Sequence, residues 1–99
     1  MDVYVARSTI RTSGTRAEMV DLYDFKQAHA FQGRSFLSAR NQYEYDCGIS
    51  RRRLMSTAGY AGHMAQGAVV ASDGAATAWE EVGTSGPLHE MWKVACTKQ

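Results

Sequence analysis

Leu37-Ser38-Ala39-Arg40-Asn41-Gln42-Tyr43-Glu44-Tyr45-Asp46-Cys47 is the stretch from which the fold can be read. Leu37, Ala39, Tyr43, Tyr45 and Cys47 fall on one side of an extended chain and Ser38, Arg40, Gln42, Glu44 and Asp46 on the other, with Asn41 alone out of pattern. Successive side chains of a strand point to opposite faces, so this order predicts a strand over residues 37–47 with one apolar and one charged face. Strands of that kind build antiparallel sheets that pack on one side and meet water on the other. Cys47 ends the apolar row, and Gly48 permits a tight reversal into a second strand over residues 50–60.

Upstream, residues 3–5, 9–12 and 15–25 are rich in β-branched and aromatic side chains and are predicted strands, with Ser13-Gly14 as the turn between the last two. The polar residues 26–33, which include Gln27, His29 and Gln32, predict a loop. Downstream, residues 61–83 are rich in Gly, Ala and Ser. Val69-Val70-Ala71 and Trp79 are the expected buried anchors there, and Ser72-Asp73-Gly74 the turn between two short strands. The period then changes. Leu88, Met91, Trp92, Ala95 and Cys96 recur at the spacing of one helical stripe. Ser85 or Gly86 suits the cap, Pro87 the first turn, Glu90 the early part and Lys93 and Lys98 the late part of such a helix. With about three turns it is too short to hold alone, so it must dock on the apolar face of the sheet.

Cys47 and Cys96 are the only cysteines, with no CxxC pair and no histidine at zinc-ligand spacing. One ends the apolar row of a strand and the other closes the helix stripe, so both face the same interface. A disulfide is predicted, two buried thiols being the alternative. A loop of this size stabilises a chain by about 4 kcal/mol in the loop-entropy account.

At 99 residues the chain is read as one domain, residues 1–99. Only sixteen residues are Leu, Ile, Val or Phe, a share low enough for disorder, but a net charge of +1 argues against that. Fourteen Ala, five Tyr, five Met and two Trp can supply a small aromatic core. No apolar run approaches the length of a membrane-spanning helix. Met1-Asp2-Val3-Tyr4-Val5 has no basic-then-apolar pattern, so this stretch contains no signal peptide, and a native signal or leading segment is expected to be missing. The fold class is therefore α+β, mainly β: a single antiparallel sheet of five to six strands with a C-terminal helix packed on one face and tied by a disulfide.

The order Tyr43-Glu44-Tyr45-Asp46-Cys47, Arg51-Arg52-Arg53, Tyr60, Gly67-Ala68-Val69-Val70, Trp79 and Cys96 resembles the bacterial surface-adhesin protein E family, over the span from Val3 to Cys96. The resemblance implies small exported or lipid-anchored proteins of Gram-negative envelopes. It also implies a sheet of about six strands whose C-terminal helix is tied to the concave face by Cys47 and Cys96. Adhesion to host extracellular-matrix proteins such as vitronectin and laminin is implied as well, together with homodimers. Location in the cell envelope or outside the cell follows from it, with any membrane attachment made through a lipid anchor absent from this sequence.

Arg51, Arg52 and Arg53 are the candidate binding residues, with Arg7, Arg11, Arg16 and Arg34 able to extend a basic surface. Guanidinium groups fit sulfate, phosphate and carboxylate in pairs, which suits an anionic glycan or an acidic protein; the plain alternative is a solvated sheet face. Balanced charge and the absence of a recognition motif argue against nucleic acid. His29, His63 and His89 are scattered and predict no metal site, and no cofactor is expected. No elbow positions a serine nucleophile and no glycine motif cradles phosphate, so the chain is not read as an enzyme. Tyr43, Tyr45, Trp79 and Trp92 are assigned to the core before any ligand groove, and Tyr4 and Tyr23 to an exposed edge. The reading is a non-catalytic, adhesin-like envelope module; the alternative is a periplasmic small-ligand binder with a groove between helix and sheet. Unpaired edges at residues 3–6 and 9–12 invite a homodimer.

Overall fold

Alternation over the middle of the chain produces three long strands whose inward residues meet in register. In the computed structural model, which describes residues 1–31 and 33–97, these are β2 (Arg16–Phe31), β3 (Arg34–Asp46) and β4 (Arg51–Tyr60). Before them runs β1 (Asp2–Ser13), and after them β5 (Val69–Asp73), β6 (Glu80–Glu81) and the helix α1 (Pro87–Cys96). All pairings are antiparallel, in the order β1-β2-β3-β4-β5, with β6 also on β4. The fold is thus α+β and mainly β, as the alternation indicates.

Ala17, Met19, Tyr43 and Tyr45 project from β2 and β3 on one face, called here the core face, and α1 lays Met91 and Ala95 on them. Tyr45, Met19 and Ala95 are wholly buried, so a tyrosine and a methionine fill the volume that aliphatics occupy elsewhere. The predicted disulfide is present: Cys47 and Cys96 are joined with Cα atoms 5.5 Å apart. A second tie lies beside it, where Trp92 Nε1 donates to the Asp46 carbonyl at 2.9 Å. Gly86, at φ 92°, takes the cap position without a side-chain bond, and Pro87 begins the helix as predicted. Lys98 lies outside the described residues.

Four expectations are corrected. The polar segment 26–33 is not a loop: β2 continues to Phe31, slipping register between Asp24 and His29, and reverses with Gly33 at φ 78°. Its polarity reflects a strand end that projects past the helix, where Lys26 to Ala30 are exposed on both sides. Residues 3–5 and 9–12 are one strand, slipped between Ala6 and Arg11, where the Thr9 hydroxyl takes the Val20 N–H at 2.9 Å in place of a ladder carbonyl. Val69 is no anchor, being 53% exposed, and Trp79 is not part of the core but lies against the guanidiniums of Arg16, Arg51 and Arg53. The two late strands do not pair with each other. Both lie along β4, linked by Thr77 N donating to the Leu54 carbonyl, so residues 69–82 form one interrupted edge.

Candidate functional site

The basic run is divided by the pleat of β4. Arg51 sits opposite Asp46, Arg52 opposite Tyr45 and Arg53 opposite Glu44, so the first and third share the outer face and the second the core face. On the outer face Arg51 reaches Asp46 Oδ2 at 3.1 Å, and Arg53 donates from Nε and Nη2 to Glu44 Oε1 at 2.9 and 2.8 Å. Arg16 lies 3.7 Å from both carboxylates. Burial would raise the Asp46 carboxyl, but the Arg51 bond and the N–H groups of Ile49 and Gly48 prevail and hold it below the usual carboxylate range. The Trp79 ring lies 4.8, 4.5 and 4.7 Å from the guanidiniums of Arg16, Arg51 and Arg53. Three cations, two carboxylates and an indole thus form one plate of net charge +1, half open to solvent.

Arg52 is inside, 3% exposed, with its guanidinium 3.7 Å from the centre of the Tyr43 ring. It donates to the Tyr45 hydroxyl at 3.4 Å and lies 3.8 Å from Glu80. Burial opposes its charge, yet the phenols of Tyr45, Tyr43 and Tyr23 raise its proton affinity further. The same burial pushes the Tyr45 hydroxyl up to about 12 against the pull of Arg52, and raises Tyr43 as well. Strand alternation separates Arg52 from Arg51 and Arg53, but burial removes it from the candidate binding residues. Pairing with Tyr45 is what carries Arg52 inward, and that register is set by the turn after Cys47 rather than by the run itself. Tyr23 likewise interacts with Tyr43 and Arg52 and is not an edge residue, whereas Tyr4 is 46% exposed on β1 as expected.

Asn41, the one residue out of pattern, is buried on the core face. It donates to Asp21 Oδ1 at 2.8 Å and accepts from the Thr57 hydroxyl at 2.6 Å. In register this row runs Asp21, Asn41, Thr57, Asp73 across β2 to β5. Asp21 is 1% exposed, and burial lifts its carboxyl to about 6 despite the Asn41 bond and the charge of Arg52. The next row, Ala39, Gly59 and Ala71, floors an open cleft of about 300 Å³ walled by Phe36 and His29. No residue of α1 lines it. The space between helix and sheet, where the small-ligand alternative puts its groove, is filled by Met91, Ala95 and the disulfide.

A short helical turn, His63–Ala65, closes the outer face at this end. Asp24 accepts from Met64 N at 2.9 Å and faces His63 at 3.1 Å, and Ser38 bonds both Gly62 O and Ala65 N. The Met64 bond chiefly lowers the Asp24 carboxyl. These contacts hold Met64 and Ala65 at φ 55° and 59°, positions a side chain resists. His29 stacks on Phe25, with centroids 3.9 Å apart, and His89 on Trp92, at 5.5 Å. The three histidines therefore serve three separate places. Among the described residues no three His, Cys, Asp or Glu gather as metal ligands.

Fold and surfaces together define a small sheet module, clamped by a disulfide, that offers faces for binding. The chain belongs to the surface-adhesin protein E family, whose sequence profile matches residues 1–97. Comparison with curated proteins and with solved structures finds no significant match. Membership points to a surface-adhesin role and to an envelope or secreted protein. No helix among the described residues is long and apolar enough to cross a membrane.

Proposed function

We propose that the protein is a non-catalytic, adhesin-like module of the bacterial cell envelope that holds an extracellular-matrix macromolecule on the outer face of its sheet. The observation that carries this reading is the plate around Trp79, which couples one indole to Arg16, Arg51 and Arg53. Trp and Arg are the residues that most often dominate protein interfaces. Glu44 and Asp46 hold the arginines in place, and the excess positive charge favours an acidic segment or a sulfated glycan. Arg52 lies outside this contact because it is buried.

Binding to immobilised laminin, vitronectin and heparin tests the proposal. Trp79→Ala should weaken binding at least tenfold, and Arg51→Gln with Arg53→Gln should weaken it and flatten its salt dependence. Unchanged binding in both variants, each folded by circular dichroism, would refute the outer face as the contact.

The same reading includes a two-fold dimer through β1, the open edge beside β2. Val3 and Tyr4 are 43% and 46% exposed there, with Arg7 and Arg11 as the nearby charges. Edge pairing would cover the free backbone groups and add apolar burial that a small core lacks. Sedimentation at micromolar concentration should show a dimer that Val3→Lys shifts to monomer. A monomer at every concentration would end the idea.

A further inference from the structure

We infer that the open end of the core face is a binding slot for a small planar aromatic amine. Ala39, Gly59 and Ala71 stand side by side on β3, β4 and β5, so no large side chain rises from this row; Ala39 and Gly59 are buried, Gly59 beneath the Phe36 ring, and the floor opens toward Ala71. A Cβ at Gly59 would crowd the Phe36 ring, which packs directly against it, at 3.0 Å. Phe36 and His29, with ring centroids 6.1 Å apart and planes inclined at 29°, make an aromatic wall along the floor. At about 300 Å³ the space is at the lower end of small-molecule sites. A flat floor beside an aromatic wall selects a ring, since offset or edge contacts between rings add to burial.

The opposite border decides which ring. Thr57 spends its hydroxyl proton on Asn41, so toward the slot it can only accept. Next to it in register is Asp73, whose Oδ1 already accepts the Ala75 N–H at 2.9 Å and whose carboxylate can only accept further. Among the described residues lining the slot, Asp73 is the one with a full charge, His29 being the other titratable group. Ser72 adds a hydroxyl that donates or accepts, so the Asp73 carboxylate is what favours a ligand that donates and is positive, and an aromatic wall adds its own attraction for a cation. A carboxylate-bearing ring of the same size would meet Asp73 with like charge.

This site is independent of the outer-face adhesion reading, and three probes with one ring separate its parts. Tryptamine, indole and indole-3-acetate carry a positive, a neutral and a negative group. In a ¹H–¹⁵N titration of the full chain, tryptamine should shift the amides of Ala39, Gly59 and Ala71 and bind at least tenfold more tightly than indole-3-acetate. Asp73→Asn should bring tryptamine down to the affinity of indole, and Ala71→Leu, which fills the floor from the edge strand, should weaken tryptamine and indole alike by tenfold or more. Absence of tryptamine binding at millimolar concentration would overturn the proposal. So would shifts centred elsewhere, equal affinity for amine and acetate, or an Ala71→Leu variant that binds as the parent does. Should Ala71→Leu fail to fold, the Asp73→Asn comparison decides.

Discussion

At the end of the core face that carries Ala17, Met19, Tyr43 and Tyr45, a helix lies across the strands and a disulfide holds it. At the end that carries Ala39, Gly59 and Ala71, no residue of α1 lines the face, and the Phe36 ring rests on Gly59 instead. The contrast follows from side-chain size. Met19 and Tyr45 would each expose a large apolar area without α1, worth about 1.5 to 3 kcal/mol per side chain, so that end must be roofed. Two alanines and a glycine leave little to hide. Between the two ends runs the row Asp21, Asn41, Thr57 and Asp73, a polar boundary across one face of the sheet.

The largest effect should come from cutting the tie at the roofed end. Replacing both cysteines by alanine releases a link of sequence separation 49 and should cost about 4 kcal/mol in urea denaturation. A loss well under 1 kcal/mol would mean that α1 is held by packing and the Trp92 bond alone.

A smaller, pH-dependent effect belongs to the boundary. Burial lifts the Asp21 carboxyl from 3.8 to about 6, opposed by Asn41 and Arg52, so the folded protein keeps a proton that the unfolded chain has released. The contribution of this group to stability is therefore fullest below pH 4 and is lost as pH rises through about 6, by about 3 kcal/mol in all. Asp21→Asn cannot titrate. Its stability relative to the parent should rise between pH 4 and 7 and then level off. Asp24 and Asp46, both lowered, favour the fold as pH rises, but they do so in both proteins and cancel in the difference. A difference that stays flat across that range would show that Asp21 is not desolvated.

The roofed end was the legible one. Alternation in residues 37–47 and the stripe from Leu88 to Cys96 are both imprints of a single buried surface, and each cysteine sits at the end of one imprint, so fold class and disulfide could be read together. The open end left weaker marks. Asn41 looked like a fault in the pattern because its partners, Asp21 and Thr57, lie 20 and 16 positions away and are brought to it only by register. Ala39, Gly59 and Ala71 carry no signal individually, and become a floor only when three strands align. The strand beyond Phe25 was missed for the same reason: past the helix, Lys26 to Ala30 are exposed on both faces, so no alternation is imposed. The arginine run was visible from its composition, but the inward turn of Arg52 and the stacking of its neighbours on Trp79 depend on pairings across β3, β4 and β6.

The two ends of the core face are held by different means, one by a tethered roof and the other by the strand ladders themselves. Residue-resolved hydrogen exchange on the Cys47→Ala and Cys96→Ala double variant tests it most directly. The account predicts that amides of α1 lose their protection while those of β2, β3 and β4 around Ala39, Thr57 and Gly59 remain clearly slower to exchange. Equal loss of protection in the helix and in those strands would contradict it, because the sheet would then depend on the roof along its whole length.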